Sequence, residues 1–482
     1  MAEILLDVDA DHPGEECGVL GIRLDESGIE AVHSGEIGIY RLAYDALVSQ
    51  KNRGQQNTGL ASSIDGYHFD RIVERGGPEE AFEEGALLNY LPDNPQYLLG
   101  HNRYTTVGGK DGGQPIEFSN MVMVGNGELS NHQSLVEAST REGLPSDYWV
   151  LGSIIADEID EGFTLPAAMI RAANISEGAY SIVSMHDQQM VAMRDPHGVR
   201  PLHYTHVQDF GWAVASERPT LQVLGAELSD IQEVNPGELL VFNEEGVHNF
   251  QFAETTTALC ALEKIYLLST LDRSLYKERY ESGRIMAQEN PAVDADVVVP
   301  ILGSAKAGSQ GYADELDLPM LEAVVKRKGS KRNFMEEQAQ RDLGRFPKHD
   351  IHIDKLAGKK VVLVDDSVVR GDTLLGIASQ VAEVAEEVHI VILSPKIVDI
   401  CNLGVAIKDK HELIAHKMSG EAFVQLMDDE NDTIKSYAHL TLDGLFKAYG
   451  KDLCTGCLGG EYPVAQPTIN KNALNMLSAS KI

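Results

Sequence analysis

Basic residues, cysteine, tryptophan and long apolar runs are all scarce in this 482-residue chain. Lys and Arg number 40 against 74 Asp and Glu, a formal net charge of -34. A surface this acidic repels polyanions, which excludes a general nucleic-acid-binding role. No stretch of 18 or more apolar residues occurs, so no segment reads as a membrane span. The first sixteen residues, MAEILLDVDADHPGEE, have neither a basic start nor an apolar middle, and are not a secretory signal. The cytoplasm is therefore the expected compartment. The five cysteines, Cys17, Cys260, Cys401, Cys454 and Cys457, are too few and too odd in number for a disulfide framework.

What is present implies a large globular protein. Hydrophobic residues make up 43%, enough for full cores, and the length implies two or three domains. The first half carries short β-rich runs: ECGVLGIRL, YLLGHNRYTT, NMVMVGNGEL, AYSIVSMHD, QQMVAMRD and GWAVASE. Helical patterns interrupt them at YRLAYDALVSQ and SDYWVLGSIIADEI. Strands with helices packed outside predict a layered α+β domain. PGELLVF (236–242) reads as one of its last strands, and the polar NFQFAETTT that follows reads as a linker. The second half changes rhythm. DADVVVPIL, KKVVLVDD and EEVHIVILS are buried-type strands, separated by helical patterns such as RSLYKERYESGRIMAQ and DTLLGIASQVAEVAEEV. That alternation predicts parallel strands with crossover helices, an α/β domain.

A cysteine must lose its proton before it attacks an amide. At a free N-terminus its own α-amine, with a pKa of about 7.7–8.0, can take that proton. Cys17 stands between the acidic leader and an apolar strand, a position that suits a nucleophile or a buried packing residue. Five further segments follow in order: KNRGQQNTGLA (51–61), GHNRYTTVGG (100–109), GNGELSN (125–131), GAYSIV (178–183) and RDPHGVRPL (194–202). The series resembles the N-terminal-nucleophile glutaminase domain of class II glutamine amidotransferases. Within that class it is most similar to the glutamine phosphoribosylpyrophosphate amidotransferase family, over nearly the whole chain.

The resemblance implies a propeptide, 1–16, and a four-layer αββα glutaminase domain over 17–250. It further implies a type I phosphoribosyltransferase domain with a parallel sheet over 258–482. Cys17 would be the nucleophile and its own amine the base. Arg103 would hold the glutamine α-carboxylate, where a guanidinium bonds two oxygens at once, and Thr106 would add a hydroxyl. Asn126 and Gly127 would form the oxyanion hole, and Asp147 would pair with the α-ammonium. Two departures stand near this pocket: Gly125 where the family usually has His, and Trp149 where it has an acid.

VVLVDDSVVRGDT (361–373) is a hydrophobic strand ending in two carboxylates, then a short loop opening a helix. Asp365 and Asp366 can accept bonds from ribose hydroxyls. The backbone N–H groups from Ser367 through Arg370 and Gly371 to Thr373 can cradle a 5-phosphate at the helix start. A ligand there lies at the carboxyl ends of parallel strands. The stretch matches the type I phosphoribosyltransferase motif. LYKERYESGR (275–284) keeps the family's Arg279 and Gly283, and Ser304 falls where the family has a hydroxyl near Mg²⁺, beside Asp365 and Asp366. The basic run KRKGSKR, from Lys326, is either a solvated loop or, by the resemblance, the loop that closes over pyrophosphate. Gly303 and Asp372 depart from the family pattern, and the loop lacks its usual tyrosine.

Cys260, Cys401, Cys454 and Cys457 fall where the iron–sulfur subgroup of the family has its cluster ligands. Four thiolates suit a [4Fe–4S] cluster or Zn²⁺ by ligand type, and the resemblance selects [4Fe–4S]. The activity it implies is transfer of ammonia from glutamine to 5-phosphoribosyl 1-pyrophosphate, the first step of purine synthesis, with Mg²⁺ at the acceptor. Feedback nucleotides and a homo-oligomer, dimer or tetramer, are the implied partners. Two rivals stand beside it: a paralogue acting on another phosphosugar, suggested by Gly303 and Asp372, and a non-catalytic regulator that binds phosphoribosyl pyrophosphate.

Overall fold

The structure is a computed structural model that describes residues 17–82, 91–104, 112–118, 121–138, 143–292, 294–301, 303–326, 349–407, 409–417, 424 and 433–463. The leader 1–16, Thr106 and the basic run after Lys326 lie outside these residues, as do the side chains of Lys326, Asp372 and Thr373.

Thirteen strands fill the described first half. They are β1 (Gly18–Leu24), β2 (Asn57–Ser63), β3 (Asp70–Arg75), β4 (Tyr97–Arg103), β5 (Ile116–Phe118), β6 (Met121–Leu129) and β7 (Gly178–His186). After them come β8 (Gln189–Arg194), β9 (His203–Val207), β10 (Gly211–Ala215), β11 (Gln232–Glu233), β12 (Glu238–Asn243) and β13 (Gly246–Gln251). They form two sheets, β11-β9-β10-β1-β4-β2-β3 and β13-β12-β8-β7-β6-β5. The pairings of β1, β6 and β7 are antiparallel throughout.

Because successive side chains in a strand point to opposite faces, each sheet is apolar on both. Val19, Leu99, Val124, Val183 and Ala192 pack between the sheets. Leu20, Ile22 and Leu98 turn outward onto the helix Ile39–Ser49, through Ala43 and Leu47. On the far side Met123, Ile182 and Met193 pack on the helices Asp147–Asp160 and Leu165–Ala173. The result is helix, sheet, sheet, helix: the four-layer αββα arrangement expected from the sequence.

The second half holds β14 (Leu259–Cys260), β15 (Val297–Pro300), β16 (Val324–Lys326), β17 (His349–Ile351), β18 (Lys360–Asp365), β19 (Glu387–Ile392), β20 (Ile434–His439) and β21 (Leu453–Cys454). Four of them make a parallel sheet in the order β15-β18-β19-β20. The crossover helices include Tyr276–Glu289, Lys306–Glu315 and Asp372–Ala382.

Three details differ from the sequence reading. Asn249, Phe250 and Gln251, expected in a linker, belong to β13 because they pair with β12. The helix expected through residue 388 ends at Ala382, and β19 starts at Glu387. Strand β20 escapes a hydrophobic pattern because only Ile434 of its six residues is fully buried. Among the described residues no helix is long and apolar enough to cross a membrane.

Candidate active site

Cys17 sits one residue before β1, in the middle of the first sheet, with its thiol donating to the Tyr104 carbonyl at 3.4 Å. Burial pushes the thiol pKa up, while the Tyr104 carbonyl, Arg103 and Arg53 pull it down and Asp147 raises it. A thiol held in this way is protonated at neutral pH and needs a base to react. Its backbone is anchored too: Arg53 Nε donates to the Cys17 carbonyl at 3.0 Å.

Asn126 and Gly127 lie in β6, with Asn126 buried. The Asn126 Nδ2 atom has no hydrogen-bond partner among the described residues, as expected of a donor kept for a ligand. Gly127 has φ +133°, and a Cβ there would stand 2.0 Å from the Ala179 carbonyl oxygen, so only glycine fits. The preceding peptide is clamped. Gln114 Oε1 accepts from Gly125 N at 2.7 Å, Gln114 Nε2 donates to the Gly125 carbonyl at 3.2 Å, and His101 Nε2 approaches the same carbonyl at 3.1 Å. Burial pulls the His101 pKa down to about 3, so it is neutral and donates through Nε2.

Asp147 opens the helix Asp147–Asp160, where the helix dipole favours a carboxylate. Its two oxygens accept from Leu129 N and Tyr148 N, each at 3.0 Å. Burial raises its pKa to about 6, a shift that those two bonds oppose. It remains mostly ionised at neutral pH and can hold an ammonium group. Arg103 and Asp147 thus act on the Cys17 thiol from opposite signs of charge, while Asn126 and Gly127 lie side by side on β6.

In the second half Asp365 ends β18 at the carboxyl edge of the parallel sheet and Asp366 follows it, both buried. Asp366 N donates to Asp365 Oδ1 at 2.9 Å, and the Ser367 hydroxyl contacts Asp366 Oδ1 at 3.1 Å. The loop is tethered by buried Val368 and Val369, and Gly371 turns it into the next helix with φ +89°. Arg370 pairs with Glu412 at 2.5 Å. Ser304 lies half-buried just before the helix Lys306–Glu315.

The two halves meet at the nucleophile. Arg53 Nη2 reaches Glu263 at 2.7 Å and its Nη1 reaches Glu217 at 3.2 Å, all three side chains buried. Arg200 pairs with Glu263 at 3.5 Å and donates through Nε to the Leu403 carbonyl at 2.8 Å. Gly404, next along, stands against Gly127: a Cβ on Gly404 would lie 3.0 Å from the Gly127 Cα. Sequence reading assigned no role to Arg53, Gln114, His101 or Glu263. Arg53 lies in KNRGQQNTGLA, a segment already singled out, which was the available signal.

Cys260, Cys401, Cys454 and Cys457 form no disulfide, are buried and belong to one apolar cluster. Cys260 and Cys454 are register partners in the short parallel pair β14–β21. Burial, then Glu263 and Cys401 against an opposing Arg200, raises the pKa of Cys260 to about 11; burial, then the neighbouring thiols, raises that of Cys454 to about 12 and pushes Cys457 well above 9. Among the described residues no group of three or more His, Cys, Asp or Glu side chains is arranged to hold a metal ion. The donor set is right for a four-thiolate site, and the four lie close enough that Cys260 and Cys401 both raise the pKa of Cys454 and Cys457.

Comparison with known proteins defines first the class and then the family. Residues 101–223 match the family described as a glutamine amidotransferase domain. Amidophosphoribosyltransferase 1, chloroplastic, of Arabidopsis thaliana is 33% identical over 96% of this chain and 81% of its own. The amidophosphoribosyltransferase of Mycobacterium tuberculosis is 30% identical over 98% of this chain and 91% of its own. The solved glutamine phosphoribosylpyrophosphate amidotransferase from B. subtilis, complexed with ADP and GMP, superposes with a TM-score of 0.78. It is 29% identical, and the match covers 93% of this chain and 98% of that one. The chain belongs to the amidophosphoribosyltransferase family.

Proposed function

We propose that this protein hydrolyses glutamine at Cys17 and delivers the ammonia to 5-phosphoribosyl 1-pyrophosphate, giving 5-phosphoribosylamine, glutamate and pyrophosphate. The charges of Arg103 and Asp147 on the buried Cys17 thiol, together with the unpartnered Asn126 Nδ2 beside Gly127, support this reading most strongly. With the leader gone, the Cys17 α-amine accepts the thiol proton. The sulfur attacks the glutamine carboxamide carbon, and the oxygen that becomes negative meets Asn126 Nδ2 and Gly127 N–H. Collapse breaks the C–N bond, the amine's proton goes to the leaving nitrogen, and ammonia departs from a thioester. Water then releases glutamate and the free thiol. Arg103 and Asp147 hold the two charged ends of the amino acid throughout.

Ammonia formed here is passed to the second half, whose Gly404 lies against Gly127. It displaces pyrophosphate at the ribose C1, with Asp365 and Asp366 on the ribose hydroxyls and the Ser367–Thr373 loop on the 5-phosphate. Mg²⁺ would be held by Asp365, Asp366 and Ser304 and would neutralise the leaving pyrophosphate. Lys326 and the basic run after it would face the same group. A steady-state assay tests the reading: glutamate release should rise when phosphoribosyl pyrophosphate and Mg²⁺ are added. Glutamate release that ignores the sugar would reject the acceptor assignment and leave the glutaminase standing.

The four buried cysteines would bind a [4Fe–4S] cluster that fastens β14 to β21 and the Cys401 loop, a structural duty. Protein purified without oxygen is expected to be brown and to hold about four irons per chain. Stoichiometric zinc without iron would overturn this.

A further inference from the structure

Two buried hydroxyls near the glutamine pocket, those of Tyr148 and Tyr180, have no hydrogen-bond partner among the described residues. A buried hydroxyl without a partner costs stability, so its persistence next to a reaction centre points to a partner that arrives with the substrate. Tyr148 is the better placed of the two. It is the second residue of the helix Asp147–Asp160 and directly follows Asp147. Its ring lies on Gly125: a Cβ there would be 2.0 Å from the Tyr148 Cε1 atom. A side chain at 125 is thus absent where the ring now stands. Gly125 is in turn fixed by Gln114 and His101. The buried Tyr148 ring thus packs on β6 directly beside Asn126 and Gly127.

The hydroxyl ends beside the oxyanion residues. A Cβ on Gly127 would lie 3.1 Å from the Tyr148 Oη. Burial raises the Tyr148 pKa well above 10, and the charges of Asp147 and Cys17 reinforce the shift. The group therefore keeps its proton and acts as a donor. Tyr180 is the cross-strand partner of Gly127, but its own upward shift comes from burial and Asp195, with no contribution from Cys17.

We propose that the Tyr148 hydroxyl is a third donor to the reacting carboxamide of bound glutamine, alongside Asn126 Nδ2 and Gly127 N–H. This rests on the glutaminase reading of Cys17. It makes Tyr148 a catalytic residue of this chain, carried on a helix of the outer layer. Asn126 and Gly127, by contrast, lie on a strand of the sheet.

Tyr148→Phe removes one oxygen and keeps the ring on Gly125. With glutamine as donor, kcat is expected to fall about 100-fold, the scale for losing one oxyanion donor. KM should stay within about twofold. The ammonia-dependent reaction of the same variant should match wild type, and its melting temperature should be unchanged or higher because an unsatisfied hydroxyl has gone. A wild-type kcat with glutamine would overturn the proposal. So would a raised KM at unchanged kcat, which would place the hydroxyl at the binding end only. Loss of the ammonia reaction as well would make Tyr148 structural and defeat it. If wild type itself releases no glutamate, both this inference and the glutaminase reading fall; failure of the Tyr148→Phe arm alone leaves that reading intact.

Discussion

Cys17→Ala is expected to abolish glutamine-dependent product formation, by about 10⁴-fold or more, as when the nucleophile of a covalent mechanism is removed. The same variant should still aminate phosphoribosyl pyrophosphate when ammonium salts are supplied at alkaline pH, where free ammonia is abundant. The split follows from the architecture. Cys17 precedes β1 in the first sheet, whereas Asp365 ends β18 in the parallel sheet of the second half and Asp366 follows it. Alanine in place of cysteine removes one sulfur from a buried position and leaves the Arg53 bond to the residue 17 carbonyl in place. The fold of the acceptor half is thus spared. The check is a pair of rate measurements on one preparation, glutamine against ammonium chloride. Retained glutamine turnover would remove Cys17 from the chemistry, and loss of both reactions would show that the thiol supports the fold.

Several candidate residues could be named before any coordinates because they fall in short segments that resemble a known family or form a compact motif. Asn126 and Gly127 are adjacent, Asp147 sits at a helix start, and the Asp365–Asp366 pair ends an apolar strand that leads into a glycine turn. For Asn126, Gly127 and Asp147 the role came from the resemblance carried by the whole series of segments, whereas the Asp365–Asp366 motif can be read from its own stretch. Three strands of the parallel sheet, β15, β18 and β19, were equally plain because they are runs of Val, Ile and Leu. What escaped depends on contacts remote in sequence. Arg53 meets Glu263, 210 residues away, and Arg200 meets the Leu403 carbonyl, 203 residues away. Gln114 and His101 are meaningful only once β6 brings Gly125 between them. Tyr148 reads as one more core residue of an amphipathic helix, since nothing in the sequence reveals that Gly125 leaves room for its ring. The polar strand β20 was missed for a related reason: its partner β19 supplies the apolar environment that its own residues do not advertise.

Arg53→Met is expected to be the most damaging single change away from the reacting atoms. Burial works against the Arg53 charge, yet Glu263 and Glu217 outweigh it and raise its pKa. A neutral side chain of similar length would leave two carboxylates buried without their shared cation. Breaking one such pair costs about 3–5 kcal/mol, and Arg200, 3.5 Å from Glu263, offsets only part of it. Burial already raises the Glu217 pKa, a shift that Arg53 opposes. A carboxyl with a raised folded-state pKa is stabilising while protonated and loses that contribution as pH climbs through the folded value. The deficit of the variant should therefore be largest at neutral and alkaline pH and should shrink on acidification. Melting curves across that range measure it. Arg53→Lys should recover part of the stability but little glutaminase activity. One ammonium cannot reproduce the fork that holds the Cys17 carbonyl, Glu217 and Glu263 together. Because Glu263 comes from the second half, this cation also joins the nucleophile's backbone to the acceptor half. A lysine variant with full glutaminase activity would show that Arg53 only holds the fold. A methionine variant as stable as wild type at neutral pH would show that Arg200 alone suffices for both carboxylates.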